Sequence, residues 1–412
     1  MKIAEAFDML AGPGTDVEFV AYDGSKGGQI GSDIRLEVRS PKAIAALLGA
    51  PGQLGLARAY VAGDLEVTGD LYTAFDRLAT AALRDVSWRE KAALARNFAP
   101  LFLRKPPPPP EEVHKNGMKH SRRRDAEVIS HHYDVSNTFY EWVLGPTMAY
   151  TCAVFPRADA TLEQAQEEKF DLVCRKLGLE PGMRVLDVGC GWGGFAMHAA
   201  KNYGVEVIAV TLSEQQARWG QRAVAAAGLD KRVDLRHSDY RAVRETGFDR
   251  IASIGLTEHI GKANYPAYFA FLRSRLIDGG RLVNHCITRT DPKEKTYTRN
   301  GFINRYIFPD GELVHVGTLV DAIEHQRLEV QHEENLRIHY AMTLGFWLAN
   351  LEAHWDEAVA EVGLRKARVW RLYLAASKWG FMRNRIQLHQ ILATRTSPSG
   401  VSGMPLRLSL ER

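Results

Sequence analysis

The run Val185-Leu186-Asp187-Val188-Gly189-Cys190-Gly191-Trp192-Gly193-Gly194 joins an apolar, strand-like segment to a glycine-rich turn, ahead of an amphipathic stretch starting at Phe195. Gly189 and Gly191 allow a tight strand-to-helix turn and close approach of the backbone to a ligand. The acid stands two residues before the first glycine, giving D-x-G-x-G-x-G. A dinucleotide fingerprint is instead G-x-G-x-x-G with an acid about 20 residues further on. At that later place the chain has Thr211-Leu212-Ser213, which disfavours an NAD ribose site. No G-x-x-x-x-G-K-[ST] run is present, so the loop is not a P-loop. A second feature is Glu258-His259, directly after the apolar run Ile251 to Leu256. An ionisable pair ending a central strand suits acid–base work.

The elements that must position these residues alternate. Apolar periodicity predicts helix 160–177, strand 183–188, helix 193–203, strand 205–210, helix 213–227, strands 232–236 and 248–254, helix 264–276 and strand 280–286. This pattern predicts an α/β fold with a doubly wound parallel sheet, with the glycine loop and Glu258 at the carboxyl ends of strands. Beyond 300 the pattern is mainly helical, with stretches at 338–355 and 364–393. Residues 1–103 mix short strands at 17–22 and 34–38 with helices near 42–49 and 71–84, a small α+β domain. Between the two lies 104–124, where Pro106 to Pro110 forbid helix or central strand. The same segment gathers Arg104, Lys105, Lys115, Lys119, Arg122, Arg123 and Arg124 against Glu111 and Glu112. It reads as a solvated linker or as a site of attraction to anionic lipid headgroups, where each base adds about 1 kcal/mol. Nucleic acid is a weaker third reading and is not an expected partner. The domain from 125 ends near 395, and 396–412 is a Ser-, Gly- and Pro-bearing tail.

Composition narrows the classes. With 412 residues, 45% hydrophobic, 25% charged and a net charge of +4, the chain is globular rather than collagenous or disordered throughout. Cys152, Cys174, Cys190 and Cys286 stand far apart, with neither disulfide-framework nor zinc spacing, so no metal is expected. No apolar run approaches the roughly 18 residues that span a bilayer, and the start lacks a signal-peptide core; a cytoplasmic location is expected.

Several strings occur together and in order: His132-Tyr133-Asp134-Val135-Ser136-Asn137, Met148-Ala149-Tyr150-Thr151-Cys152, Asp187 to Gly193, Ile254-Gly255-Leu256-Thr257-Glu258-His259-Ile260-Gly261, and Tyr306-Ile307-Phe308-Pro309-Asp310-Gly311. Over about 120 to 395 the chain resembles the cyclopropane-fatty-acyl-phospholipid synthase and mycolic acid cyclopropane synthase family of class I S-adenosylmethionine-dependent methyltransferases. Ala59-Tyr60-Val61-Ala62-Gly63-Asp64 is similar to that family's smaller N-terminal domain. The resemblance implies a Rossmann-like fold with helical insertions. It implies S-adenosylmethionine contacts from Tyr150, Thr151, Val185, Asp187, Gly189, Gly191, Trp192, Gly193, Thr211, Leu212, Ser213, Gln216, Tyr240 and Arg241. Asp239 is added as a polar contact to the adenine.

The resemblance further implies methyl transfer to the cis double bond of an unsaturated phospholipid acyl chain, a carbocation, and deprotonation assisted by a bound bicarbonate ion that closes a cyclopropane ring. Its bicarbonate cradle maps onto Cys152, Glu258, His285, Ile287 and Tyr340. Cys152, Tyr340 and His285 also have plain structural readings, as a small buried hydrophobe, a core aromatic and a satisfied histidine. Tyr265, Tyr268, Phe269, Phe302, Tyr306, Phe346 and Trp347 line an acyl tunnel or pack a core. Ser377 stands where some members carry a late cysteine, which removes thiol catalysis there. Thr257 and Asn284-His285-Cys286 differ from what typical cyclopropane synthases lead one to expect, which keeps a methylene-branched product open. A non-catalytic lipid-binding protein is the reading from another class. The implied partners are acyl chains at the inner face of the membrane, with peripheral association, a homodimer, and a reductase if the product is a methylene branch.

Overall fold

The computed structural model describes the chain except residues 13, 51, 82–86, 103–105, 114–119, 121–123, 125–135, 294–300 and 411–412. It divides into two compact units, one of Met1–Lys115, Arg299–Pro309 and Leu351–Trp379, the other of Asn116–Thr298, Asp310–Asn350 and Gly380–Arg412. The division at 115/116 falls inside the Pro-bearing segment, where Pro106 to Pro110 are neither helix nor strand.

The first unit is built on strands β1 (Glu18–Ala21), β2 (Lys26–Gly28), β3 (Arg35–Val38) and β4 (Leu65–Thr68), ordered β2-β1-β3-β4. Alternating burial along β3 and β4 gives the sheet one apolar face. Late segments join this unit through charge-assisted bonds. Arg368 donates to the Tyr60 carbonyl at 2.8 Å and to Glu66, and Trp379 donates to Asp76 at 3.2 Å. Buried Glu112 accepts both arms of Arg58 at 2.7 and 2.8 Å.

The second unit carries a seven-stranded sheet. Its strands are β5 (Arg184–Val188), β6 (Glu206–Thr211), β7 (Val233–His237), β8 (Phe248–Ile254), β9 (Leu276–Arg289), β10 (Glu329–Asn335) and β11 (Ile386–Thr394), ordered β10-β11-β9-β8-β5-β6-β7. β7, β6, β5, β8 and β9 pair in parallel. β11 runs antiparallel between β9 and β10. The central strands are buried on both faces over most of their length, so they show no in–out alternation. From β5 the chain winds outward through β6 and β7, then returns to β8 on the other side. The carboxyl ends of β5 and β8 therefore form the switch point at which open α/β sheets bind ligands.

The region beyond 300 is mainly helical as expected, but it also holds β10 and β11, which the sequence reading did not place. The stretch 364–393 is a helix only over Leu364–Met382, followed by a strand. Strand-type alternation is absent there because β11 is buried on both faces from Leu388 to Thr394, which removes the period-2 signal. Of the seven bases in the basic segment only Arg124 lies within the described residues, and it is not solvated. Arg124 is buried, and its guanidinium forks onto Asp310 at 2.5 and 2.8 Å. Arg104, Lys105, Lys115, Lys119, Arg122 and Arg123, like His132 to Val135, lie outside the described residues.

Candidate active site

A cavity opens at the β5/β8 switch point. Asp187, Gly189, Gly191 and Trp192 line it from the β5 turn, and Thr211, Leu212 and Gln216 from the β6 turn. Tyr240 and Arg241 line it beyond β7, and Tyr150 and Thr151 from the segment before the helix Leu162–Leu177. The turn needs its glycines. Gly189 and Gly191 have φ of 80° and 56°, and a Cβ on Gly193 would lie 2.7 Å from Leu235. Gly255, ending β8 with φ 73°, would put a Cβ 2.9 Å from Thr151. The lack of a side chain at Gly255 thus lets Thr151 pack close against the end of β8.

Four expected contacts do not line the cavity. Val185 is core beneath the loop, and Gly193 begins the next helix in a left-handed conformation. Ser213 caps the helix Glu214–Ala226 by accepting from Gln216 N at 3.2 Å. Asp239 grips Arg241 at 2.6 to 3.1 Å, so Arg241 offsets its charge.

Lys169, which no motif in the sequence singles out, lines the same cavity. It is 1% exposed, donates to Thr151 Oγ1 at 2.9 Å and lies 3.8 Å from the Phe170 ring centroid. Burial pulls its ammonium down to about 7, and burial pushes the Asp187 carboxyl up to about 7, each charge partly opposing the other's shift. Asp187 Oδ2 is buried without a hydrogen-bond partner. The one signal for Lys169 is its place on the apolar stripe of an amphipathic helix, in register with Ala165 and Val173.

None of the five residues of the expected cradle lines this cavity. Four of them fall into two pairs, and His285 stands apart from both. Glu258, in the short helix Thr257–Ile260 after β8, accepts at Oε1 from the Ile287 amide of β9 at 3.3 Å. Its Oε2 is buried and unpartnered, and burial pushes its carboxyl up to about 7. Cys152 Sγ lies 3.8 Å from the Leu336 carbonyl, which also accepts from Tyr340 N at 3.1 Å. Burial drives the Cys152 thiol far up, so it is no thiolate nucleophile. His285, on β9, is 1% exposed, with Nε2 unpartnered. Burial, then Lys169 and Lys176, hold its imidazole well below the usual range. Lys169 acts electrostatically on Cys152, Asp187 and His285 alike.

The helix Arg337–Ala353 ties the cradle side to the cavity side. Tyr340, Thr343 and Trp347 share one helical face. Thr343 accepts from Ala153 N at 3.0 Å, and Trp347 stands 5.3 Å from Tyr150 and 6.0 Å from Tyr340, ring centre to ring centre. Beside Glu258, Thr257 donates to Asn284 Oδ1 at 2.5 Å, and Asn284 reaches Cys286 Sγ at 3.4 Å. None of the seven expected tunnel aromatics lines the cavity; Tyr268 and Phe269 are core, the Tyr268 hydroxyl pairing with Ser253 at 2.7 Å.

The family model of mycolic acid cyclopropane synthetase matches residues 120–391. The chain belongs to that family. A "Probable fatty acid methyltransferase" of Mycobacterium tuberculosis is 52% identical over 419 residues, covering 99% of this chain and 98% of that protein. The cyclopropane-fatty-acyl-phospholipid synthase of Escherichia coli K12 is 38% identical over 282 residues, 68% of this chain and 71% of that one. Among solved structures, the mycolic acid cyclopropane synthase CmaA1 complexed with SAH and CTAB superposes with a TM-score of 0.62 at 34% identity, over 65% of this chain and 97% of that one. The cyclopropane synthase MmaA2 of Mycobacterium tuberculosis gives 0.62 at 31%, over 68% and 100%.

As a member of this family the chain is an S-adenosylmethionine-dependent methyltransferase with the class I fold. The site's chemistry suits such a cofactor. An unpartnered buried carboxylate oxygen on Asp187 accepts hydroxyl or amino donors, and leaving it unpaired costs about 1–3 kcal/mol. Two of the residues expected to hold an anion keep a polar atom that could meet a small hydrogen-bonding one. Glu258 Oε2 and His285 Nε2 are both buried without protein partners, and a carboxyl raised to about 7 can share a proton with an anion instead of repelling it.

Proposed function

We propose that the protein methylates the cis double bond of an unsaturated phospholipid acyl chain and closes a cyclopropane ring, with Cys152, Glu258, His285, Ile287 and Tyr340 holding a bicarbonate ion. The observation that carries this reading is the buried Glu258 carboxyl, fixed by the Ile287 amide at 3.3 Å with its other oxygen unpartnered. S-adenosylmethionine, when bound, supplies an electrophilic methyl group. Bicarbonate, when bound, supplies a base that is a poor competitor for that methyl. The chain's own residues orient and protect: the glycine turn brings backbone against the cofactor, and buried Trp192 and Tyr140, 4.9 Å apart, exclude water beside it. An alkene is a weak nucleophile, so positioning carries a large share of the barrier, up to about 7–11 kcal/mol in favourable cases.

A second reading within the same chemistry is a methylene-branched product, formed by losing a different proton after a hydride shift. The buried Thr257–Asn284–Cys286 chain beside Glu258 favours it, because polar groups there alter where the base and the cation meet. A reductase would then complete a methyl branch. In both readings the protein works at the inner surface of a membrane as a peripheral protein, alone or as a homodimer; no helix among the described residues is long and apolar enough to cross a bilayer. The test is incubation of purified protein with S-adenosylmethionine and unsaturated phospholipid vesicles, followed by NMR of the product. Cyclopropane signals support the first reading and exocyclic methylene signals the second; an unchanged lipid refutes both.

A further inference from the structure

The His285 imidazole is the inner end of a chain of buried polar groups that leads out to the protein surface. Glu334 of β10, its side chain 36% exposed, accepts from Lys176 Nζ at 2.6 Å. The same ammonium donates to Gln390 Oε1 at 2.8 Å, and Gln390 Nε2 stands 3.1 Å from His285 Nδ1. Lys176 and Gln390 are 0% exposed and His285 is 1% exposed, so water does not compete for these bonds.

The donor inventory decides the directions. A lysine ammonium donates and never accepts, so it must face the carbonyl oxygen of the Gln390 amide. The amide NH2 therefore faces His285. An NH2 group donates, so Nδ1 must accept and cannot carry a proton. A ring without a proton on Nδ1 is neutral, and its surroundings agree. Lys176 and Lys169 stand two helical turns apart on the helix Leu162–Leu177, and both oppose a positive imidazolium, as burial does.

We infer that Gln390, anchored by Lys176 and Glu334, is a positioning residue that holds His285 in the neutral tautomer with its proton on Nε2. The buried, unpartnered Nε2 is then a fixed hydrogen-bond donor. This rests on the bicarbonate-cradle reading for its purpose: His285 binds an anion and is barred from serving as the base, because its one basic nitrogen is already occupied by Gln390. The proton that leaves the substrate must go to another group.

The test is 15N NMR of the full-length protein labelled at histidine, with the His285 resonances assigned by their loss in His285→Ala. The expected result is an unprotonated Nδ1 and a protonated Nε2, unchanged across the neutral pH range. Gln390→Glu replaces the donating NH2 by an oxygen while keeping an acceptor for Lys176. It should move the proton to Nδ1 and lower turnover by about a hundredfold, the size of one lost hydrogen-bond donor, with S-adenosylmethionine affinity unchanged. A proton on Nδ1, or an imidazolium, in the wild-type protein overturns the inference, and this measurement needs no variant to fold. A wild-type tautomer as expected, with turnover insensitive to added bicarbonate, would leave the inference standing and sink the cradle reading instead.

Discussion

Glu258 and Ile287 are joined across the carboxyl ends of two neighbouring parallel strands, the side chain of one accepting the backbone amide of the other at 3.3 Å. This bond fixes one carboxyl oxygen and leaves the second, buried, to meet a ligand. Glu258→Gln keeps the shape and the Ile287 bond but removes the ionisable oxygen. Turnover should fall on the order of a hundredfold or more, while calorimetry shows S-adenosylmethionine affinity unchanged. His285→Ala should behave the same way; wild-type turnover in either variant would remove that residue from the cradle.

The same carboxyl has a signature in stability. Its folded pKa is raised from 4.5 to about 7, so the folded protein holds the proton more tightly than the unfolded chain. The associated stability is fully present below pH 4.5 and is lost as pH rises through about 7. Glu258→Gln escapes this loss. Its stability relative to wild type should rise across that window by up to about 3 kcal/mol, read as the pH dependence of the difference in chemical-denaturation midpoints.

Turnover should carry the opposite slope. If the proposed bicarbonate is bound, an ionised Glu258 would accept from its hydroxyl and strengthen it as a base, so kcat/KM should drop as pH falls through about 7. The limb should be absent from whatever residual rate Glu258→Gln retains.

Gly191→Val should abolish S-adenosylmethionine binding. The residue has φ 56°, which valine resists, and the new side chain would enter the cavity that Gly191 lines. A loss of affinity of less than about tenfold, about 1.4 kcal/mol, would mean that the turn does not approach the cofactor.

Arg122 and Arg123 are separated from Arg124 by what Arg124 does. Neutralising the first two should weaken binding to anionic vesicles in low salt, with the effect shrinking as salt screens it. Arg124→Ala should instead destabilise the fold by about 3–5 kcal/mol, because it leaves Asp310 buried and unpaired. The double variant Arg124→Ala, Asp310→Ala should recover part of that loss.

The parallel core was legible because its signals are local. β5 and β8 are rich in apolar residues, the turn glycines lie close together in sequence, and strand 248–254 stands where its periodicity placed it. What escaped was set by tertiary burial. β11 shows no alternation because both its faces are covered, and β10, with Glu329, Glu333 and Glu334, is too polar to read as a strand. Nor does linear order reveal that 299–309 and 351–379 group with the N-terminal residues. Within the site, Asp187 and Glu258 announced themselves by type and position. Lys169, Lys176 and Gln390 did not, since a lysine on a helix and a glutamine in an apolar run acquire meaning only from the side chains they meet.

The antiparallel placement of β11 has a consequence for synthesis. Ribosomes deliver the amino-terminal part of a chain first, so β5 to β9 leave the exit tunnel about a hundred residues before the strand that pairs with β9. During that interval β9 is an open edge, and it carries His285 and Ile287 on a ladder lacking its neighbour. Gln390 is among the last residues of the sheet to arrive. A nascent chain can therefore fold its cofactor turn before β11 has been made, but it cannot seat His285 against Gln390 until β11 has followed.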